Sequence, residues 1–223
     1  MYKYQSIFNM NDCINKNAYM NWRIEKNNPI DNMINIANGY KNSTIKLIKS
    51  LIEDNWNKDA DIEIFPIFFM MNHSIELYLK SIMWSINVLT NKGEKFKGKH
   101  NILQIYNMTK PMVEDYEKSI NRNDNIVFFR ENTKVLYSYL KDIDIKIKKN
   151  SNGKKDNIDF SRYPINSAKE NHFYVDEIDN VVIDLENLLY VSNDILENLE
   201  SIATYYTYEI DQKIQDESLL GWF

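Results

Sequence analysis

The stretch from Asp61 to Asn91 constrains this chain more than any other. An Asp-Ile-Glu-Ile-Phe-Pro entry leads into Ile67 to Asn87, which reads as one long apolar helix. Phe65, Phe68, Phe69, Asn72, Ile75, Leu79, Ile82, Met83 and Ile86 recur at three- and four-residue steps, so a wide apolar face follows the helical period. Pro66 suits a first helical turn, where its missing N–H goes unused, and Asp61 and Glu63 stand upstream, beside the positive end of the helix dipole. A helix this apolar has to be covered on most of its circumference, so the remaining elements are expected to pack around it. A narrower stripe carries His73, Glu76 and Lys80 at i, i+3 and i+7, with His73 and Lys80 about 10 Å apart along the axis.

The partners of that helix are predicted to be helices. Five Gly and four Pro among 223 residues are too few turn formers for a sandwich or barrel of short strands, so the fold class is all-α, an up-and-down bundle with at most a small hairpin near 158–183. A hydrophobic share of 43% is ample for one core, and the chain reads as a single helical domain over 1–223. The net charge of −5 denies the protein an electropositive field as a whole, which leaves nucleic-acid contact to a local basic patch. Cys13 is the lone cysteine, so an intrachain disulfide and a paired-cysteine zinc site are both excluded. The first residues contain no apolar segment behind a basic cluster, and no window approaches about eighteen uncharged apolar residues, so the chain reads as cytoplasmic and free of membrane spans.

Residues 1–17 read as an arm that docks or frays, with a short helix expected near Tyr19–Lys26 and a long one over roughly 30–56 after Asn27-Asn28-Pro29. Beyond the central helix, a basic glycine-bearing loop at 91–99 leads to a helix opened by His100-Asn101-Ile102-Leu103. Pro111 is expected to break it at 109–111, because Pro lacks the N–H and pushes Lys110 out of the α region. The next helix, capped by Asn123 or Asp124, should end near Asp142, ahead of a charged, core-free flexible loop at 146–157. Residues 158–165 and 172–175 are expected to pair as a hairpin, with Pro164 holding the first strand to an edge. Asp184 should cap the last long helix, whose buried face runs from Leu185 to Tyr206, and the apolar tail from Leu219 to Phe223 is expected to dock.

Three blocks in order carry a resemblance: Phe65-Pro66-Ile67-Phe68-Phe69 running into His73-Ser74-Ile75-Glu76-Leu77-Tyr78-Leu79-Lys80, then Lys99-His100-Asn101-Ile102-Leu103, then Phe160-Ser161-Arg162-Tyr163-Pro164. Together they resemble the bacterial HEPN-like helical proteins over roughly residues 60 to 200. The resemblance implies an all-α bundle and a role in prokaryotic defence or stress response, with RNA or a nucleotide as ligand and a homodimer or a protein partner as the assembly. HEPN families also include non-catalytic members. The Arg-to-His spacing that marks their ribonucleases is absent here: no His lies five to seven positions after Arg23, Arg122, Arg130 or Arg162, and Asn72 precedes His73 where related sequences often carry Arg.

Glu76 and Lys80 form an i,i+4 pair in the favourable order, worth about 0.3–0.5 kcal/mol if exposed. The stripe has two placements, exposed or buried; buried, which so apolar a helix allows, the carboxylate needs a cation or a hydrogen-bonding partner, and Arg162, with its planar two-donor fork, is the natural one. His73 has two readings, a general acid/base and a satisfied structural histidine, since an imidazole titrates in the useful range. Lys99 and His100, at a helix start after Gly98, read either as a phosphate perch or as a solvated basic loop. The catalytic set is then His73, Glu76, Lys80 and Arg162, with Lys99, His100 and Tyr163 as substrate contacts, in a metal-independent ribonuclease. Three histidines without an H-E-x-x-H spacing make no case for a metal, and no phosphate loop or serine elbow occurs, so no cofactor is expected. The alternative is a non-catalytic interaction or scaffold protein in which the same residues tie the Arg-Tyr-Pro segment to the bundle.

Overall fold

The chain forms α1 (Pro29–Glu53), α2 (Ala60–Leu89), α3 (Ile102–Ser119), α4 (Asn123–Asn132), α5 (Lys134–Asn150), α6 (Phe173–Asp176) and α7 (Leu185–Leu220) in a computed structural model. The structure describes residues 6–220 apart from Glu94, Lys97, 151–158 and 167–168. It is an all-α helical bundle, and no strand occurs among the described residues. α2 is the central member. Ile67, Met71, Ile75, Tyr78, Leu79, Ile82 and Ile86 are buried along it, and α1, α3 and α7 pack against it. Among the described residues no helix is long and apolar enough to cross a membrane.

The central helix begins earlier than its proline suggested. Asn55 Oδ1 accepts the Ala60 N–H at 3.1 Å and Lys58 turns through a positive φ of 62°, so the chain reverses tightly out of α1 and helix starts at Ala60. Pro66 therefore sits inside α2, where its missing N–H removes one rung of the ladder. Pro111 likewise lies within α3, which runs unbroken where a break at 109–111 was expected; burial of Ile105, Tyr106, Thr109 and Val113 on both sides of it outweighs the lost bond. α1 stops at Glu53, short of the expected 56, and leaves Trp56 91% exposed in the turn.

The expected helix from 123 to 142 is two helices. Thr133 parts α4 from α5: its Oγ1 donates to the Phe129 carbonyl at 2.8 Å and also bonds the Tyr106 hydroxyl at 3.1 Å, a local bond that competes with the helical ladder. Arg122, and not Asn123 or Asp124, occupies the N-cap of α4. α5 continues to Asn150, so residues 146–150 are helical where a loop was expected, and the remainder of 146–157 lies outside the described residues. The expected hairpin is absent. Asp159–Ser161 make one 3-10 turn, a single antiparallel bridge joins Ile165 to Asn171, and Phe173–Asp176 is one turn of helix. Tyr19–Lys26 forms turns without a helix, and of the apolar tail Gly221, Trp222 and Phe223 lie outside the described residues.

Side chains cap two of the long helices, at Asn28, where the sequence showed only a stop and restart, and at Asp184, the expected cap. Asn28 Oδ1 accepts the Asp31 N–H at 3.2 Å, and Asp184 Oδ1 accepts the Asn187 N–H at 3.1 Å. Asp184→Ala is expected to cost about 1 kcal/mol, the usual worth of an N-cap carboxylate, read as a lower midpoint in urea with an unchanged slope. α7 is also held by a polar hub that the sequence did not announce. The fully buried Glu117 of α3 accepts from the Tyr206 hydroxyl at 2.8 Å and from Asn125 at 3.0 Å, while Arg122 donates to Tyr205 at 2.7 Å and to Glu209 at 2.6 Å.

Candidate functional site

The polar stripe of α2 is the only part of that helix where charge is buried, and the pairing is local. Lys80 Nζ donates to Glu76 Oε1 at 2.6 Å, one helical turn apart, with side chains 7% and 12% exposed. An unpaired charge at that depth is costly, and a lysine four residues on satisfies the carboxylate without any tertiary closure. The expectation that Arg162 would do this is thus corrected. Arg162 is exposed, and its guanidinium lies over the rings of Phe69 at 5.6 Å and Tyr163 at 5.4 Å.

Two imidazoles reach the same carboxylate. His100 Nδ1 is 3.1 Å from Glu76 Oε1, and His73 Nδ1 is 3.9 Å from Oε2, just beyond hydrogen-bonding distance. Burial by itself pushes the Glu76 carboxyl up, but His73, Lys80 and His100 outweigh it and hold the group at about 2, below its ordinary 4.5. Glu76 is therefore ionised throughout the neutral range. A carboxylate only accepts, so the proton at this contact belongs to His100 Nδ1, and Nε2 is the ring nitrogen left to exchange one.

The loop after α2 brings His100 into place. Phe96 is the one large apolar residue of the basic segment 91–101; its ring covers Lys80 Nζ at 5.3 Å and meets Trp84 edge-on at 5.7 Å. Lys95 lies over Trp84 at 5.4 Å, and the Asn87 side chain donates to the Lys95 carbonyl at 3.2 Å. Pinned there, the loop returns to α3, where Asn101 Oδ1 caps the helix by accepting the Gln104 N–H at 3.0 Å. That cap occupies one of the free N–H groups expected to make a phosphate perch. Lys99 is exposed, and no contact joins it to Glu76 among the described residues.

His73 is set by rings. It stacks parallel on Phe69 with centroids 5.8 Å apart and takes the edge of Tyr40 from α1 at 4.7 Å. Phe69 thereby carries both His73 and Arg162, which brings the Arg-Tyr-Pro segment beside the stripe. Phe160 anchors that segment against Phe68 and Phe173, each at 5.5 Å, and leaves Tyr163 exposed. Asn72, next to His73, accepts the Tyr139 hydroxyl at 2.7 Å and so ties α5 to α2.

The arrangement gathers His73, Glu76, Lys80 and His100 into one cluster, with Arg162 and Tyr163 linked to it through Phe69. Lys99 is not joined to it. Tyr40, Phe69 and Phe96 shape the site, and the sequence showed them only as apolar positions. A solitary Phe in a lysine- and glycine-rich loop was the available signal for Phe96. Comparison of the chain with models of known families, with curated proteins and with solved structures finds no match.

Proposed function

We propose that this chain is a HEPN-like helical module that binds and cleaves RNA without a metal, in keeping with a role in prokaryotic defence or stress response. The observation that supports this best is the single ionised carboxylate between two imidazoles. Glu76 orients His100 by accepting from Nδ1 and lies beside His73, so the two rings form a base and acid pair, one to take the proton of a ribose hydroxyl and one to return a proton to the leaving oxygen. Lys80 keeps Glu76 charged. Arg162 and Tyr163 offer a guanidinium and an exposed ring to phosphate and base, and Lys99 adds local positive charge in a protein whose net charge is −5.

The same depth of burial favours a second reading. With Lys80 and Glu76 both nearly sealed, the cluster ties the 91–101 loop to α2 and serves a non-catalytic interaction or scaffold protein. Cleavage of end-labelled single-stranded RNA, with a chelator present, separates the two. Under the first reading wild-type protein cuts with the chelator present, and His73→Gln at matched melting temperature loses about 10²–10⁴ of the rate. No cutting by wild-type protein, or full activity in His73→Gln, would leave the scaffold reading in place.

A further inference from the structure

At the end of the bundle where α1 closes and α2 and α7 begin, acidic and apolar side chains share one surface. Glu53, Asp54, Asp59, Asp61, Asp179 and Asp184 are exposed there, and Lys58 is the only cation in residues 53–63 and 176–187. Trp56, Ile62, Ile178 and Val182 stand out into solvent among these carboxylates. A groove of about 510 Å³ runs between the turn at Asn55 to Asp61 and the irregular segment 180–183. Among the described residues no hydrogen bond engages the backbone of 178–183, although Val181-Val182-Ile183 is a β-branched run of the kind that builds strands. This end offers apolar anchors and an acidic rim to a non-helical segment that carries exposed apolar side chains and more basic than acidic residues.

The chain itself carries a segment of that description at its other end. Residues 6–28 form no α-helix and expose Ile7, Phe8, Met10, Met20 and Trp22, with Phe8 83% exposed. Lys16, Arg23 and Lys26 outnumber Asp12 and Glu25 in it, opposite in sign to the acidic end. Its base is pinned at the start of α1: Asn32 bonds the Glu25 backbone at 2.8 and 2.7 Å, and Asn35 donates to the Arg23 carbonyl at 2.8 Å. The 25 residues of α1 separate that base from the acidic end by about 37 Å.

We propose that the N-terminal arm of one copy docks on the acidic, apolar end of a second copy, joining the chains head to tail. Such a contact pairs two different surfaces, so it closes into a ring or extends as a filament and does not stop at a symmetric pair. Neither surface overlaps the Glu76 cluster. The test is sedimentation velocity of the full chain from about 1 to about 100 μM, at about 0.05 and about 0.5 M salt. The average mass should rise with concentration at low salt and fall at high salt. Trp56→Ser, and separately Phe8→Ser with Trp22→Ser, should each weaken self-association at least tenfold, and both change exposed residues. Mixed together, the two variants should regain a single contact and stop at two chains, because each keeps the half that the other lacks. A monomer at every concentration, an associating Trp56→Ser, or a mixture that stays monomeric would overturn the proposal.

Discussion

Lys80→Met is expected to destabilise the fold by about 3–5 kcal/mol at neutral pH, the usual cost of removing one partner from a buried ion pair. Methionine fills the space under Phe96 and keeps the apolar stem, so packing is nearly conserved and the loss falls on the Glu76 carboxylate. His100 can offset only part of that loss, since its own side chain is 72% exposed. The sign with pH follows from the direction of the Glu76 shift. A carboxyl held at about 2 against an ordinary 4.5 stabilises the wild-type fold fully above the ordinary value, and that contribution is lost as pH falls toward 2. The gap between wild type and Lys80→Met should therefore be widest above about pH 4.5 and close below it. Adding Glu76→Leu to Lys80→Met should recover most of the loss, because an apolar pair replaces an ion pair at little cost. Arg23→Ala is the control: it changes an exposed side chain and should cost no more than about 0.5 kcal/mol. Urea unfolding of the four proteins at two pH values checks this, and a Lys80→Met protein as stable as wild type at neutral pH would show that water reaches Glu76.

What the sequence disclosed and what it withheld divide along the range of the interactions. The central helix was legible because Ile75, Leu79, Ile82, Met83 and Ile86 repeat one period, and tertiary burial agrees with local preference there; toward its start the expected Phe65, Phe68 and Phe69 are only half-buried, and Ile67 and Met71 are the sealed positions. Asp184 was legible because a cap acts within three residues. Pro66 and Pro111 misled, since the cost of each lost bond is local while the burial that overrides it comes from distant helices. Thr133 misled for the opposite reason: a single hydroxyl, bonded to Phe129 and Tyr106, parts two helices whose apolar pattern runs straight through. In the candidate site, the i, i+3, i+7 stripe placed His73, Glu76 and Lys80 together, since helix geometry alone does so. Which cation Glu76 would take was not readable. The nearer Lys80 reaches it within the helix, whereas Arg162 finds two rings and stays at the surface. The hub around Glu117 joins residues of α3, α4 and α7, and nothing in local spacing marks it.

Under the proposed ribonuclease function, His100→Gln is expected to lower RNA cleavage by about 10²–10⁴ while leaving the melting temperature unchanged. Glutamine can still donate an amide N–H to Glu76 Oε1, so the loop keeps its anchor there, and Phe96 on Lys80 and Trp84 holds the rest. What glutamine lacks is a group that exchanges a proton near neutral pH. The loss should fall on the chemical step, with KM little changed. Lys99→Ala should behave in the opposite way: it weakens binding, and more so at low salt, with little effect on the chemical step, because an exposed lysine contributes through phosphate attraction alone. Single-turnover cleavage with binding measured in parallel separates the two. If His100→Gln and Lys99→Ala weaken binding alike and leave the chemical step intact, the contact between Glu76 and His100 only anchors the loop, and proton transfer does not pass through that ring.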